Sequence, residues 1–258
     1  MENLINKIHN CDNREILKQI SDKSVQVFLE DMPYNTTDCK FEYKIDLTEY
    51  WKLRLSKIKD NGTFILCGSQ PFTTDLINSN RKIFKYEIIW EKNTSTGFLN
   101  AKNKPLKNHE NILILSLGNT NHINLSLNRM IYNPQDINRV NKISKHTKNK
   151  FGNITGNRPS HKKEFITEFE NFPKTVIKYN SEKNCFHPTQ KPVPLFEYLI
   201  KTYTNENDLI FDGFSGSGTT AIACQKLKRN FICCELDKTY YDKSIERLNI
   251  ELEKNKIF

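Results

Sequence analysis

Phe211-Asp212-Gly213-Phe214-Ser215-Gly216-Ser217-Gly218-Thr219-Thr220-Ala221 is the stretch on which the fold turns. Leu209 to Asp212 reads as a short buried strand, Gly213 to Gly218 as a glycine-rich loop, and Thr219 to Lys228 as a helix. Within the loop, Gly216 to Ala221 spells G-x-G-x-x-A, and the next strand, Asn230 to Cys234, ends at Glu235, nineteen positions after Gly216. That layout suits an adenosine-containing cofactor. Glycines let a ligand approach the backbone at a helix N-terminus, and an acid after the following strand takes the ribose hydroxyls. The loop alone does not separate a nicotinamide dinucleotide from S-adenosylmethionine. Two details favour the second. The loop lies late in the chain, with about one strand and the helix Lys238 to about Lys254 after it, whereas a dinucleotide fold begins with this element. Asp212 and Phe214 also suit a cofactor that carries an amino-acid tail.

Toward the N-terminus the pattern alternates. Val25 to Glu30 is expected as a buried strand and Thr48 to about Ile58 as a helix, with Asn61-Gly62 as a turn before a strand from Thr63 to Cys67. Tyr86 to Trp90 and Asn111 to Ser116 are expected as strands, and Val193 to Tyr203 as a helix. Strands alternating with helices predict an α/β fold with a mainly parallel sheet, whose ligands bind beyond the carboxyl ends of the strands. Asp31 to Tyr34, Asp212 to Gly218 and Glu235 all follow such ends.

Asp31-Met32-Pro33-Tyr34 offers a carboxylate, a proline-kinked backbone with outward carbonyls, and an aromatic face. A flipped-out base stacked on Tyr34 would donate one amine hydrogen to Asp31 and another to a carbonyl near Met32 or Pro33. The nitrogen lone pair then leaves the ring's conjugation and points at an incoming methyl group. Such a displacement needs no covalent intermediate and no nucleophilic cysteine, and no Pro-Cys dipeptide is present.

The chain has 258 residues and a formal net charge of +9. Almost all of that excess sits between Asn119 and Lys163, where nine Lys and Arg face the single acid Asp136 among many Asn. The segment reads either as a solvated loop or as a surface that tracks phosphates. The apolar content is enough for a core, and no run approaches the roughly 18 to 20 apolar residues that a bilayer span requires. The N-terminus lacks a secretory apolar run, and the seven cysteines are scattered without a Cys-x-x-Cys pair. A cytoplasmic protein without disulfides or a structural metal is therefore expected.

With these motifs in hand, most of the chain resembles the S-adenosylmethionine-dependent amino-methyltransferases that act on DNA, in the permuted group where catalysis precedes the cofactor loop. Asn10-Cys11-Asp12 resembles the family's early acidic motif, Asp31 to Tyr34 its Asp-Pro-Pro-Tyr, His187-Pro188-Thr189-Gln190-Lys191-Pro192 its hexapeptide, and Asp212 to Thr220 its cofactor loop. The resemblance implies a Rossmann-like methyltransferase fold with Asp31, Pro33 and Tyr34 as catalytic residues. It assigns the cofactor to Asp12, Asp31, Lys191, Asp212, Phe214, Gly216, Ser217, Gly218, Thr219 and Glu235. It divides the chain into a catalytic half (1–118), a target-recognition insertion (119–182) and a cofactor half (183–258). Asp rather than Ser at position 31 resembles the enzymes that methylate adenine N6, with cytosine N4 and a catalytically silent DNA-binding relic as alternatives. Double-stranded DNA is the implied partner; a homodimer and a cognate restriction endonuclease stay open. Met32, Cys11 and Gly213 depart from the commoner Pro, Gly and Pro of the family.

Overall fold

The computed structural model describes residues 1–33, 45–120, 128–145 and 164–256. The elements run β1 (Lys7–His9), α1 (Asn13–Leu17), β2 (Val25–Glu30), α2 (Leu47–Leu55), β3 (Ile58–Gly68), α3 (Phe72–Ser79), β4 (Phe84–Thr96), β5 (Lys107–Ser116), β6 (Asn138–Lys145), β7 (Glu164–Glu170), β8 (Val176–Lys178), α4 (Val193–Tyr203), β9 (Leu209–Asp212), α5 (Thr219–Lys226), β10 (Asn230–Cys234) and α6 (Lys238–Lys256). Eight strands form one sheet in the order β1-β10-β9-β2-β3-β5-β4-β8. Pairing is parallel from β1 through β3, and only β5 runs against its two neighbours.

The central strands are mainly apolar because helices cover both faces of the sheet. Every residue of β2 and β9 is buried. On one face Val27, Leu29, Ile65 and Ile210 pack with Leu195, Phe196 and Leu199 of α4 and Ala221 of α5. On the other, Phe28, Phe64 and Phe211 pack with Ile16 of α1, Tyr50 and Trp51 of α2, and Leu76 of α3. Phe28 stacks on Phe64 at 5.1 Å, and Trp51 meets Phe64 edge-on at the same separation. Helix α2 starts where Asp46 caps it, accepting from the backbone N–H of Thr48 and Glu49.

The expected turn at Asn61-Gly62 is instead part of β3. Val25 pairs with Ile58 and Val27 with Thr63, so β3 advances five residues while β2 advances two. The surplus is a bulge, not a chain reversal. The expected helix from Thr48 to Ile58 stops at Leu55, since Ile58 already opens β3.

The chain divides into two compact units, Met1–Asn133 with Thr175–Phe258, and Pro134–Lys174. The second, whose bounds fall inside the 119–182 range, contains the antiparallel pair β6 and β7. Asn171 takes a left-handed φ of +62° and donates through Nδ2 to the carbonyl of Asp136 at 2.7 Å. No helix among the described residues is long and apolar enough to cross a membrane.

Candidate active site

Parallel strands β1, β10, β9, β2 and β3 all end at one rim, and the sequence motifs lie just past those ends. Asp31 follows β2. Its Oδ2 accepts from Nζ of Lys191, which is itself nearly buried and donates to the carbonyl of Thr189 at 3.3 Å. The backbone carbonyl of Lys191 accepts from Oγ1 of Thr219 at 3.1 Å. One lysine thus joins the turn at Asp31 to the glycine-rich loop. Glu110, at the start of β5, brings Oε2 to 3.4 Å from the same Nζ, and its Oε1 pairs with Lys92. Burial alone would lower the affinity of Lys191 for its proton; Asp31 and Glu110 overcome this and raise it, so the lysine stays charged.

The loop holds its shape through glycine and through bonds from elsewhere. Gly216 has φ +49° and Gly218 φ +75°. A Cβ on Gly216 would sit 3.1 Å from Nε2 of His187, so the hexapeptide and the loop touch only because this position is bare. The N–H of Gly216 donates to Oε2 of Glu235 at 2.8 Å, and the N–H of Asp237 donates to Oε1 at the same distance. Burial raises the Glu235 carboxyl above its ordinary range despite these donors. Arg247 of α6 binds the carbonyl of Ser217 at 3.1 Å and Oγ1 of Thr219 at 2.9 Å. Its other nitrogen pairs with Glu182 at 2.9 Å, and Glu182 also accepts the N–H of Val193 at the start of α4. His187 packs edge-on against Tyr240 with ring centres 4.4 Å apart.

The entrance to the loop rests on a buried ion pair. Arg54 donates to Glu30 through Nη2 at 2.8 Å and Nε at 3.0 Å, and Tyr50 donates to the same carboxylate at 2.5 Å. The N–H of Gly213 donates to Oε1 of Glu30 at 3.1 Å, while Nδ2 of Asn13 donates to the carbonyl of Gly213 at 3.2 Å. Asp212, buried at the end of β9, accepts from Thr220 Oγ1 and from the N–H of Phe214. Burial nonetheless pushes its carboxyl up to about 8.

Beside this pair lies a cavity of about 330 Å³ walled by Asp12, Tyr50, Leu53, Arg54, Phe214 and Leu236, the residue after Glu235. Asp12 caps α1 and is bound to Arg14 at 2.6 Å, which holds its carboxyl below the usual range. Arg14, Asp46 and Glu49 add further charges to its wall, and Ile45, Leu53, Phe214 and Leu236 supply the apolar part.

Among the sequence-predicted residues, Asp31, Lys191 and Thr219 are joined by the contacts above, as are Gly216 and Glu235; Ser217 and Thr219 share Arg247, Asp212 bonds to Phe214 and Thr220, and Asp12 and Phe214 wall the cavity. Pro33 directly follows the Asp31-Met32 step; Tyr34 lies outside the described residues. Met32 is buried in the core beneath the sheet, so packing anchors this turn where the family has a proline. Sequence reading missed Glu30, Arg54, Glu110, Glu182 and Arg247. The one available signal was Glu30 itself, a charge ending a fully buried strand.

A family described as DNA methylase, of the N6 and N4 type, matches residues 25–246. The chain is 30% identical to the Type II methyltransferase M1.MboII of Moraxella bovis, over 97% of this chain and 99% of that one. It is 27% identical to the Type II methyltransferase M.BglII of Bacillus subtilis, over 98% and 72%. The fold is also that of the M1.HpyAVI–SAM complex, with TM-score 0.61 at 23% identity over 93% of this chain and 98% of that one. The cytosine-N4-specific PvuII methyltransferase superposes with TM-score 0.61 at 16% identity over 96% and 91%.

Proposed function

The chain belongs to the DNA methylase family of N6 and N4 amino-methyltransferases, and on that premise we propose that it moves a methyl group from S-adenosylmethionine to the N6 amine of adenine in double-stranded DNA. The bare cradle at Gly216 and Gly218, the cavity and the acid at Glu235 fit this cofactor. Asp12 would hold its adenine, with Phe214 beside it in the cavity rather than at the amino-acid tail expected of it, Glu235 its ribose, and Lys191, Asp212 and Gly216 to Thr219 its methionine end. When bound, it supplies a methyl group on a positively charged sulfur.

The chain's own part is binding and orientation. In this reading Tyr34 stacks the extruded base while Asp31 and a carbonyl near Met32 or Pro33 take the two amine hydrogens. Positioning of that kind lowers a barrier by roughly 7 to 11 kcal/mol at best. The observation that carries the proposal is the contact of Lys191 with both Asp31 and Thr219, because it ties the proposed amine acceptor to the glycine-rich loop. Asp at position 31 supports adenine over cytosine. The basic unit Pro134–Lys174, within the 119–182 insertion, is the proposed reader of the target sequence, with Lys and Arg following phosphates. Type II relatives support a restriction–modification setting with a cognate endonuclease.

Methylation-sensitive sequencing and nucleoside mass spectrometry of DNA from cells expressing the chain test this. N6-methyladenine at a defined site is expected. N4-methylcytosine in its place would reassign the base, and no modified nucleoside would overturn the proposal.

A further inference from the structure

Lys191 stands between two carboxylates. Its Nζ is bonded to Asp31 Oδ2 and lies 3.4 Å from Glu110 Oε2, an oxygen that is buried and closes no hydrogen bond of its own. The other oxygen of Glu110 is fixed by Lys92, and Lys92 is seated over the Trp90 ring at 4.7 Å. Glu110 itself is held by the sheet, paired opposite Trp90 in β4. The main chain of Lys191 is pinned by Thr219, and Val193, two residues on, is pinned by Glu182. Only the lysine side chain is left to move, and the second carboxylate is within its reach.

We propose that Glu110 is a positioning residue: Lys191 passes from Asp31 to Glu110 when Asp31 engages the target amine. The inference rests on the reading of Asp31 as the amine acceptor. Methyl transfer forms a bond from the amine nitrogen to the methyl carbon and breaks the carbon–sulfur bond, whose electron pair stays on sulfur. Positive charge therefore arises on the nitrogen, which then releases a proton through Asp31 to water. A lysine left on Asp31 occupies one acceptor oxygen and cancels the negative charge that this nitrogen requires. Released to Glu110, it keeps its own buried charge paired while Asp31 regains its field. Burial acts against the Glu110 anion, but Lys191 and Lys92 together hold its carboxyl below the ordinary range, so it is charged and able to receive the lysine.

The test uses the full chain, Glu110→Gln and Lys92→Met, and a duplex carrying the site found by sequencing. Glu110→Gln is expected to lower kcat by about 10- to 100-fold, as removal of orienting partners does, with the calorimetric Kd for S-adenosylmethionine changed by less than about threefold. Lys92→Met should lose much less, since it leaves Glu110 to Lys191. In a crystal structure of the wild-type chain with that duplex and sinefungin, Lys191 Nζ should hydrogen-bond Glu110 and no longer Asp31. An unchanged kcat in Glu110→Gln, a cofactor Kd that weakens in step with kcat, or a lysine still on Asp31 in the ternary complex would each overturn the handover. A wild-type chain that methylates nothing removes the functional reading itself, and is recognised because every variant is then equally silent.

Discussion

Glu30 and Arg54 form an ion pair from which water is excluded, with Arg54 Nη2 2.8 Å from Glu30 Oε1. Glu30 is the last residue of β2 and immediately precedes Asp31, and the same Oε1 accepts the N–H of Gly213. A single carboxylate therefore fixes both the end of β2 and the first turn of the glycine-rich loop. Arg54 is further seated over the Tyr50 ring at 4.1 Å.

Removing one partner of such a pair leaves a bare buried charge. Arg54→Met is expected to destabilise the protein by about 3–5 kcal/mol, read as a lower urea midpoint. A midpoint equal to wild type would mean that the pair does not support the fold.

Gly213 uses its N–H as a donor to Glu30. Gly213→Pro deletes the donor to Glu30 and should cost about 1–3 kcal/mol. Gly213→Ala keeps the donor but brings a Cβ to 2.8 Å from both Arg54 Nη2 and Glu30 Oε1. It is expected to destabilise as well, through displacement of that pair. Urea melts of both variants check this.

Asp212 sets a pH dependence. Its carboxyl is pushed up to about 8 in the fold, from an ordinary value of 3.8. The folded state therefore holds a proton that the unfolded chain has released, and stability falls as pH rises between these values, by up to about 1.4 kcal/mol per pH unit. Asp212→Asn cannot ionise. The variant should gain stability relative to wild type as pH is raised from 5 to 8, and parallel curves would contradict the assigned shift.

Arg247 shapes the loop from α6. Arg247→Met loses the bonds to Ser217 and Thr219 and strands Glu182. Bonds of this charged kind are worth about 1.5–3 kcal/mol each. Calorimetry with S-adenosylmethionine should show a Kd weakened about 10- to 100-fold.

Asp31→Ala removes the acceptor itself. Methyl transfer to DNA should be lost while the chain still folds, since Glu110 remains 3.4 Å from the buried Lys191 charge that Asp31 would leave. Transfer that survives would refute the role given to Asp31.

The parts of the fold that were legible are those where an apolar run has marked edges. Val25–Glu30, Leu209–Asp212 and Asn230–Cys234 have the expected limits because burial on both faces writes a mainly apolar stretch and the next polar or glycine residue ends it, and Val193–Tyr203 because its apolar positions recur at helical spacing after Pro192. The short elements β1, α1 and β8 have three to five residues, too few for any period to show. Asn61-Gly62 carried a turn signal that sheet pairing absorbed as a bulge. The site divides in the same way. Motifs that follow strand ends were readable because the topology sends them all to one rim. Glu110, Arg247 and Arg54 are single charges without a local pattern. Their meaning lies in partners such as Glu30, twenty-four residues from Arg54, or Thr219, twenty-eight from Arg247, and only the folded chain joins them.

The position of β9 has a consequence for how the polypeptide is assembled. It lies between β10 on one side and β2 on the other, hydrogen-bonded to both, so a segment from after residue 200 is woven into the middle of a layer that β2 and β3 begin before residue 70. A protease nick or a gene split within Pro134–Lys174 would leave two fragments with raw inner edges, each offering a template that the other fits. Neither piece amounts to a smaller working enzyme. Together they have the makings of a two-gene complementation pair.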